Sequence, residues 1–242
     1  RIRRAFIPES DEYVLLGADY SQIELRILAH YSEDPALVAD FCRGADIHRR
    51  TAAGVFGVAE DEVTPEQRSA AKAVNFGIIY GMSGFGLSEG LGITRKEAES
   101  YIARYFARQK AVKSYLDACV ARAEATGYAT TLLGRKRAIP EIGASNYNVR
   151  RLGERLAMNT PIQGSAADIM KLAMIGVDRA LRERGLRSKV ILQVHDELIV
   201  QARKDELDEA KDLLKTKMET AYALKVPLVA ETNVGGNWYE LK

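Results

Sequence analysis

The sequence has few of the features that mark exported, membrane-spanning or metal-clustered proteins. It contains only two cysteines, Cys42 and Cys119, which lie far apart, with no pair of cysteines or histidines nearby at metal-ligand spacing. This pattern predicts buried free thiols rather than a disulfide framework or a zinc site. No apolar run approaches the ~20 residues that a membrane span needs, and the first ten residues contain no apolar signal region. We therefore expect a soluble, cytoplasmic protein.

A strong excess of one charge is also missing, because 35 basic residues face 33 acidic residues and leave a formal net charge of +2. This balance alone does not indicate a nucleic-acid-binding protein. Basic residues nevertheless cluster at three places: Arg1, Arg3 and Arg4; Arg135 to Arg137; and Arg150, Arg151 and Arg155. Each cluster taken alone fits a solvated face as well as a phosphate-binding surface.

The composition is that of a globular protein, since 47% of the 242 residues are hydrophobic and can fill a sizeable core. The length suits one large domain or two closely packed ones. The sequence starts with Arg1 rather than methionine. This start suggests a fragment or a processed product, so we expect further domains outside it.

β-Forming runs at both ends of the chain enclose a mostly helical middle. Strands are predicted at residues 13–18, 189–194, 197–201 and 227–234. Asp19 directly follows the first of these strands, and His195 and Asp196 form the tip of a tight hairpin between the second and the third. Strands on both sides of a helical insertion predict an α+β fold with a small antiparallel sheet and a helical subdomain.

The helical middle contains two clear capping-box signatures, Thr64 with Gln67 and Thr94 with Glu97. Residues 128–133 and 136–139 predict a second hairpin around Gly134. The predicted helices are residues 23–30, a helix from Pro35, residues 64–81, residues 94–127 as one helix or two joined by a bend, residues 147–183 with a break near Pro161, and residues 207–223.

Three carboxylates stand at the ends of predicted strands: Asp19 after the first, and Asp196 and Glu197 at the hairpin tip. If these strands are neighbours, the carboxylates converge at one edge of the sheet. Close carboxylates repel each other unless divalent cations lie between them. Two Mg²⁺ ions about 3.5–4 Å apart are the arrangement used for phosphoryl transfer. Each of these acidic residues taken alone is more often only a turn residue.

The helix predicted at residues 64–81 has four side chains at four-residue intervals on one broad face: Arg68, Lys72, Phe76 and Tyr80. Arg68 and Lys72 suit the phosphates of a nucleoside triphosphate, and Phe76 suits its base or sugar. The alternative is a core-facing aromatic pair beside a solvated arginine and lysine. Gly77 and Gly81 favour the first interpretation, because each glycine weakens a helix by about 1 kcal/mol relative to alanine.

Three motifs resemble those of the family A DNA polymerases, the DNA polymerase I type. Residues 19–26 (DYSQIELR) resemble motif A, residues 68–81 resemble motif B on the family's O helix, and His195, Asp196 and Glu197 resemble motif C. The resemblance covers essentially the whole chain and includes the order and spacing of the motifs. It implies a polymerase palm fold with these parts: palm at 1–32 and 146–242, fingers at 33–145, the motif B helix at about 65–81 and the motif C hairpin at about 189–201.

The resemblance implies catalytic roles for matching positions. Asp19 and Asp196 would hold two Mg²⁺ ions, for which Mn²⁺ can substitute, together with the backbone carbonyl of Tyr20. Glu197 would support this site. Lys72 would donate a proton to the departing pyrophosphate after the primer 3′-hydroxyl attacks the α-phosphorus of a dNTP.

The resemblance also implies how the nucleotide is bound. Glu24 matches the steric gate that excludes a ribose 2′-hydroxyl and so selects dNTPs. Phenylalanine at position 76 goes with rejection of dideoxynucleotides, and Tyr80 would occupy the templating position. The implied dNTP-binding residues are Gln22, Glu24, His48, Arg68, Lys72, Phe76 and Tyr80. For His48, a surface helix histidine remains the alternative.

Contacts with primer-template DNA are implied for Arg155, Asn159, Gln163 and His195. Arginine, asparagine and glutamine can reach the acceptors that every base pair presents in the minor groove. His195 would touch the primer terminus. Gln163 has a competing interpretation, in which it belongs to a capping box that starts at Thr160.

The resemblance therefore implies the core of a template-directed DNA polymerase that acts as a monomer on primer-template DNA and dNTPs in a bacterium or phage. The family's thumb and exonuclease-like domains are not present in this sequence, so proofreading cannot reside in it. One alternative is a catalytically incompetent palm–fingers fragment that binds nucleic acid or dNTP and needs the missing thumb region. An RNA-synthesising relative is disfavoured by Glu24, and a two-metal nuclease would not need the helix face from Arg68 to Tyr80.

Overall fold

The computed structural model describes residues 1–241 and confirms the predicted α+β class. The chain divides into two compact units, Arg1–Ile23 with Ala166–Lys242, and Glu24–Ser165. The subdomain boundaries that the sequence suggests, at residues 32/33 and 145/146, stay predictions. In the part of the chain that is described, no helix combines the length and the apolar character needed to cross a membrane.

The predicted strands and helices occur in the expected order, and two helices that the sequence analysis did not predict, Ile47–Phe56 and Gly84–Leu91, are added to them. The strands are β1 (Tyr13–Tyr20), β2 (Tyr128–Thr130), β3 (Lys136–Ala138), β4 (Lys189–Val194), β5 (Glu197–Arg203) and β6 (Ala230–Gly235). The α-helices are α1 (Ile23–Ser32), α2 (Pro35–Cys42), α3 (Ile47–Phe56), α4 (Pro65–Ile79), α5 (Gly84–Leu91), α6 (Arg95–Arg108), α7 (Lys110–Thr126), α8 (Tyr147–Glu183) and α9 (Leu207–Glu219). Short 3₁₀ helices occur at Ile2–Ala5, Pro140–Gly143, Lys204–Glu206 and Trp238–Leu241.

The first unit is built on an antiparallel sheet with the strand order β4-β5-β1-β6. The central strands β1 and β5 are buried on both faces, which explains why they are continuous apolar runs rather than alternating ones. On one face, the Tyr20 hydroxyl donates to the carbonyl of Met218 on α9 at 2.6 Å, and burial raises the pKa of this phenol. β1 continues through Asp19 to Tyr20, so Asp19 lies inside the strand and not after it.

Several predicted boundaries needed correction. The last helix ends at Glu219 and not at residue 223, and the last strand begins at Ala230 and not at residue 227. The stretch 94–127 forms two helices, because Gln109 leaves the helical region with φ −114° and ψ 66°. Both predicted capping boxes are present, and strands β2 and β3 pair as the predicted hairpin.

The predicted helix break near Pro161 is wrong, because α8 runs without interruption from Tyr147 to Glu183. A proline removes its own backbone donor, which would otherwise bond the carbonyl four residues earlier, but side-chain contacts in the next turn anchor the helix. The fully buried Ser165 hydroxyl donates to the carbonyl of Pro161. The same oxygen accepts hydrogen bonds from the Tyr31 hydroxyl at 2.9 Å and the Leu132 amide at 2.9 Å. These bonds tie the proline-containing turn to α1 and to the β2–β3 hairpin.

Two glycines let α8 lie close to neighbouring backbone. A Cβ atom on Gly153 would stand 2.6 Å from the Ile142 amide nitrogen, and one on Gly164 would stand 2.5 Å from the Thr131 methyl carbon. The first contact is with backbone atoms, which could make room only if the main chain at Ile142 moved. Within the second unit, the packing of this part of α8 against the 3₁₀ helix at Pro140–Gly143 therefore requires glycine at position 153.

The two cysteines differ in environment. Cys119 is buried on α7, as predicted. Cys42 is exposed, so its predicted burial is wrong. It is the last residue of α2 and lies next to the exposed Arg43, where the helix end leaves the core.

Candidate functional site

The carboxylates predicted to meet lie on adjacent strands of the first unit. Asp19 of β1 is directly opposite Glu197 of β5 in the antiparallel register. The next amide along, that of Tyr20, donates to the carbonyl of Asp196 at 3.1 Å. Directly opposed residues share one face of a sheet, so Asp19 and Glu197 lie side by side. The hairpin tip thus carries Asp196 to the end of β1, as the sequence predicted.

Left-handed backbone conformations flank these carboxylates. His195, at the hairpin tip, has φ 52°, and Gln22, just after β1, has φ 55°. Residues other than glycine adopt such values only when their surroundings enforce them, and they concentrate at functional sites. The Gln193 side chain donates to the His195 carbonyl at 2.8 Å and so helps to hold this turn. The imidazole of His195 is exposed.

Glu197 is held by a residue that the sequence analysis missed. Its side chain is 5% exposed, and its Oε2 accepts a hydrogen bond from Trp238 Nε1 at 3.0 Å. The indole in turn packs edge-on against Phe6, with ring centroids 5.2 Å apart, and under the guanidinium of Arg3 at 4.6 Å. Trp238 is the only tryptophan in the sequence, which is the one signal that could have drawn attention to it.

We expect the Trp238–Glu197 hydrogen bond to stabilise the first unit measurably. Removing the donor leaves a buried carboxylate oxygen without its partner, which costs roughly 1–3 kcal/mol. The variants Trp238→Phe, Glu197→Gln and their combination form a double-mutant cycle, read by urea unfolding with circular dichroism. A coupling energy of about 1 kcal/mol or more is the expected result. If the losses in unfolding free energy of the two single variants simply add in the double variant, the contact contributes nothing of its own. Tyr239→Phe, at the exposed neighbouring position, is the control.

The donor set at this place fits a hard divalent cation that takes further ligands from substrate and water. Asp19 and Asp196 are half-buried and supply carboxylate oxygens, and the Tyr20 backbone lies next to Asp196. Oxygen ligands of this kind are those that Mg²⁺ prefers. Within residues 1–241, no group of three or more His, Cys, Asp or Glu side chains is placed to hold a metal. A site here therefore rests on two carboxylates and a backbone oxygen, not on a closed protein cage.

In the second unit, α4 presents the predicted cationic and aromatic residues. The helix starts with the capping box of Thr64, Lys72 is exposed and Phe76 is half-buried. Tyr80 follows the last helical residue as its C-cap, and its hydroxyl donates to Glu24 Oε2 at 3.0 Å. The structure thus joins two of the predicted dNTP-binding residues through a hydrogen bond.

Arg68 has a partner that the sequence analysis did not assign. Its Nε lies 2.7 Å from Oδ2 of Asp46, the residue that caps the N-terminus of α3. Burial raises the pKa of Asp46, but the hydrogen bonds from Arg68 and the Arg49 amide outweigh it and hold that pKa below its ordinary value. Asp46 is therefore ionised and anchors the Arg68 side chain. Its position directly before a helix is the signal that predicts a cap.

His48 is buried, with 4% of its surface exposed, so the alternative of a surface histidine is wrong. Its Nδ1 lies 3.0 Å from the side-chain nitrogen of Asn75, and its ring centroid lies 6.1 Å from that of Phe76. Burial lowers the pKa of His48 to about 4, helped by the positive charges of Arg68 and Lys72 and opposed by Asp46. The imidazole is thus neutral at physiological pH.

The predicted DNA-contacting residues of α8 form one stripe. Arg155 and Gln163 are exposed and Asn159 is half-buried, at four-residue spacing. The competing capping box is wrong: Thr160 lies inside the helix, is buried, and accepts a bond from Arg137 at 3.4 Å. Gln163 is therefore not needed as a capping residue.

Gly81 connects the end of α4 to this stripe. It has φ +59°, and a Cβ atom there would stand 2.4 Å from Met158 Cε and 3.0 Å from Arg155 Cγ. The left-handed backbone favours glycine, and a larger residue would also force the Met158 and Arg155 side chains to shift. Motif B therefore ends against the helix that carries Arg155.

Comparison with known proteins agrees with these observations. The family model described as "DNA polymerase family A" matches residues 1–240 of this chain. DNA polymerase I of Caldicellulosiruptor bescii is 57% identical over 241 residues, and that of Streptococcus pneumoniae serotype 4 is 53% identical over 242 residues. In each case the match covers 100% of this chain and 28% of the relative, so the chain spans under a third of their length.

A solved structure is similar as well. It is described as the POL domain of Pol1 from M. smegmatis in complex with DNA primer-template and dNTP. Its TM-score is 0.94 at 46% sequence identity, and the match covers 99% of this chain and 42% of that chain. With a family match over nearly every residue and a shared fold, the chain belongs to DNA polymerase family A.

Proposed function

We propose that this chain is the palm and fingers core of a template-directed DNA polymerase, which adds dNTPs to a primer 3′-hydroxyl and releases pyrophosphate. The observation that carries the proposal is the pairing of β1 with β5, which puts Asp19 opposite Glu197 and Tyr20 beside Asp196. Relatives named DNA polymerase I and a similar structure holding primer-template and dNTP support it.

In this proposal, Asp19, Asp196 and the Tyr20 carbonyl hold two divalent cations, Mg²⁺ or, as a substitute, Mn²⁺. Bound there, such ions would activate the primer oxygen and stabilise the charge that develops on the leaving pyrophosphate. The protein's part is positioning, because strand pairing fixes the two aspartates before substrate binds. Glu197, held by Trp238, keeps the hairpin tip in place.

The triphosphate is bound by Arg68, Lys72 and His48. Asp46 engages only Nε of Arg68, so the terminal guanidinium nitrogens stay available for phosphate oxygens. Lys72, exposed on the same helix face, donates the proton that the departing pyrophosphate needs. These residues supply charge and protons where the reaction develops negative charge.

The nucleotide and template are selected by neighbouring side chains. Glu24 occupies the space of a ribose 2′-hydroxyl, and its bond from Tyr80 keeps the carboxylate in place. Phe76 stacks on the incoming nucleotide, Tyr80 occupies the templating position, and Gln22 lines the insertion site. On the DNA side, Arg155, Asn159 and Gln163 follow the minor groove and His195 touches the primer terminus.

Primer extension tests this function directly. The chain is incubated with a labelled primer-template, Mg²⁺ and either four dNTPs or four rNTPs. We expect extension with dNTPs, much less with rNTPs because of Glu24, and none without a divalent cation. Efficient use of rNTPs would instead indicate an RNA-synthesising enzyme.

The small share of the relatives' length that the chain covers, 28%, favours a second candidate, a fragment that binds dNTP or DNA but needs other domains for activity. A chimaera separates the two: residues 1–242 replace the matching segment of the Caldicellulosiruptor bescii DNA polymerase I. Extension by the chimaera but not by the isolated chain supports the second candidate. No extension by either protein, with both folded, contradicts a polymerase function for this segment.

A further inference from the structure

A series of buried side-chain hydrogen bonds links α3 and α4. The proposed function assigns a role to His48 but none to the other two members, Asn75 and Thr51. Asn75 on α4 is 1% exposed, and Thr51 and His48 on α3 are 6% and 4% exposed. The Asn75 side-chain nitrogen lies 3.0 Å from His48 Nδ1, and the Thr51 hydroxyl donates to the Asn75 side-chain oxygen at 3.1 Å. Buried polar groups of this kind are costly unless they are paired, so their arrangement is specific.

This chain of bonds determines where the imidazole carries its hydrogen. An amide nitrogen can only donate, so Nδ1 of His48 must accept and has no hydrogen. The neutral ring therefore carries its hydrogen on Nε2. Thr51 supports this arrangement, because its hydroxyl donates to the amide oxygen on the side away from the imidazole. If the amide turned over, its oxygen would demand a hydrogen on Nδ1 and leave Nε2 with a bare lone pair.

Charged groups around His48 favour the neutral ring. Arg68 and Lys72 act on it from α4, and Asp46 acts on it from the start of α3. Burial and the two cations outweigh the aspartate, and the pKa of about 4 keeps the ring uncharged between pH 5 and 8. Within the described residues, the bond to Asn75 is the one hydrogen bond that the His48 side chain makes, which leaves Nε2–H as its remaining donor.

We propose that Asn75 and Thr51 are positioning residues that fix His48 as an Nε2–H donor to the triphosphate of the incoming nucleotide. This inference rests on the function proposed above. A donor is required at this place because phosphate oxygens only accept hydrogen bonds. The neutral tautomer supplies one next to Arg68 and Lys72 without placing a further positive charge at a buried position.

Nitrogen NMR on the chain labelled with ¹⁵N-histidine tests the tautomer without any nucleotide. The sequence has three histidines, so the spectrum is simple, and His48→Gln identifies the signals of His48. We expect a protonated Nε2 and an unprotonated Nδ1 from pH 5 to 8. A hydrogen on Nδ1, or a doubly protonated ring at pH 6, would overturn the proposal.

Matched variants test what sets the tautomer. Thr51→Val keeps the side-chain shape but removes the hydroxyl, and Thr51→Ser keeps the hydroxyl as the control. We expect a mixture of tautomers in Thr51→Val and the original one in Thr51→Ser. Asn75→Asp should raise the His48 pKa by at least one unit, since a carboxylate then faces Nδ1. If all three variants fold and keep the original His48 signals, Asn75 and Thr51 do not position the ring.

Titration with dATP in the presence of Mg²⁺ separates this inference from the proposed function. Binding should shift the His48 Nε2 signal, and His48→Ala should bind dATP about tenfold more weakly, the value of one hydrogen bond to a charged group. Thr51→Val should bind several-fold more weakly and Thr51→Ser normally. If the chain binds dATP but His48 does not respond, the inferred contact is wrong. If dATP does not bind at all, the proposed nucleotide site itself fails, whatever the tautomer.

Discussion

Replacing Asp196 with asparagine should reduce the rate of primer extension by at least about 10²–10³-fold, the scale of losing a dominant electrostatic contribution to a transition state. Asparagine has nearly the same size and is well tolerated in turns, so the hairpin tip should keep its shape. What it loses is the negative charge that, in the proposed function, would hold a divalent cation beside Asp19. The fold and the affinity for DNA should therefore remain close to those of the parent protein.

The experiment compares Asp196→Asn and Asp19→Asn with Asp208→Asn, an exposed carboxylate on α9, in whichever form of the protein extends a primer. Single-turnover extension gives the rate, and a gel-shift assay gives DNA affinity. If both aspartates serve one site, as the proposed function requires, the double variant should be little worse than either single variant. An Asp196→Asn protein that extends primers at the parent rate would contradict the two-ion assignment.

The adjacency of the carboxylates was predictable because strands and tight turns are encoded locally. The apolar run of β1 and the hairpin around His195 and Asp196 can be recognised within a few residues. The detail that Asp19 lies inside β1 was not predictable, since a polar residue at the end of an apolar run marks a strand end equally well. Its place became clear only from pairing with Glu197.

The sequence analysis did not identify the side chains that position the candidate site residues, and the reason is different. Asp46, Asn75 and Trp238 act on side chains that are 22, 27 and 41 positions away in the sequence. No local pattern encodes such contacts, and a buried asparagine in a helix looks in the sequence like any surface polar residue. Tertiary packing alone decides which of these polar groups meet.

The uninterrupted course of α8 through Pro161 shows the same limit. The rule that proline breaks helices considers only the lost backbone bond and the local clash. It does not include the Ser165 hydroxyl or the packing of Gly153 against Ile142. Long-range contacts therefore outweighed a local signal. Because α8 has no break near Pro161, no helix begins at Thr160, and the alternative role of Gln163 in a capping box is excluded.

Lys72 should contribute about as much to the rate as general acids usually do, so that Lys72→Ala lowers kcat by roughly 10²–10⁴-fold. The reason is that pyrophosphate leaves poorly unless a proton reaches it, and Lys72 is exposed on the helix face that also carries Arg68. The KM of Lys72→Ala for dNTP should rise much less, because in the proposed function Arg68 and His48 would still bind the triphosphate. Lys96→Ala, at an exposed position on α6, should leave both parameters unchanged.

The variant Lys72→Arg distinguishes proton donation from charge. Arginine keeps the positive charge but holds its proton too firmly to give it up during the reaction. If Lys72 donates a proton, Lys72→Arg should recover the parent KM while its kcat stays close to that of Lys72→Ala. Full recovery of kcat would show that position 72 supplies only charge, and the proton would then have to come from water or from another group. Because the parent protein and Lys72→Arg carry the same charge and differ in the ability to give up a proton, the ratio of their kcat values measures general acid catalysis itself.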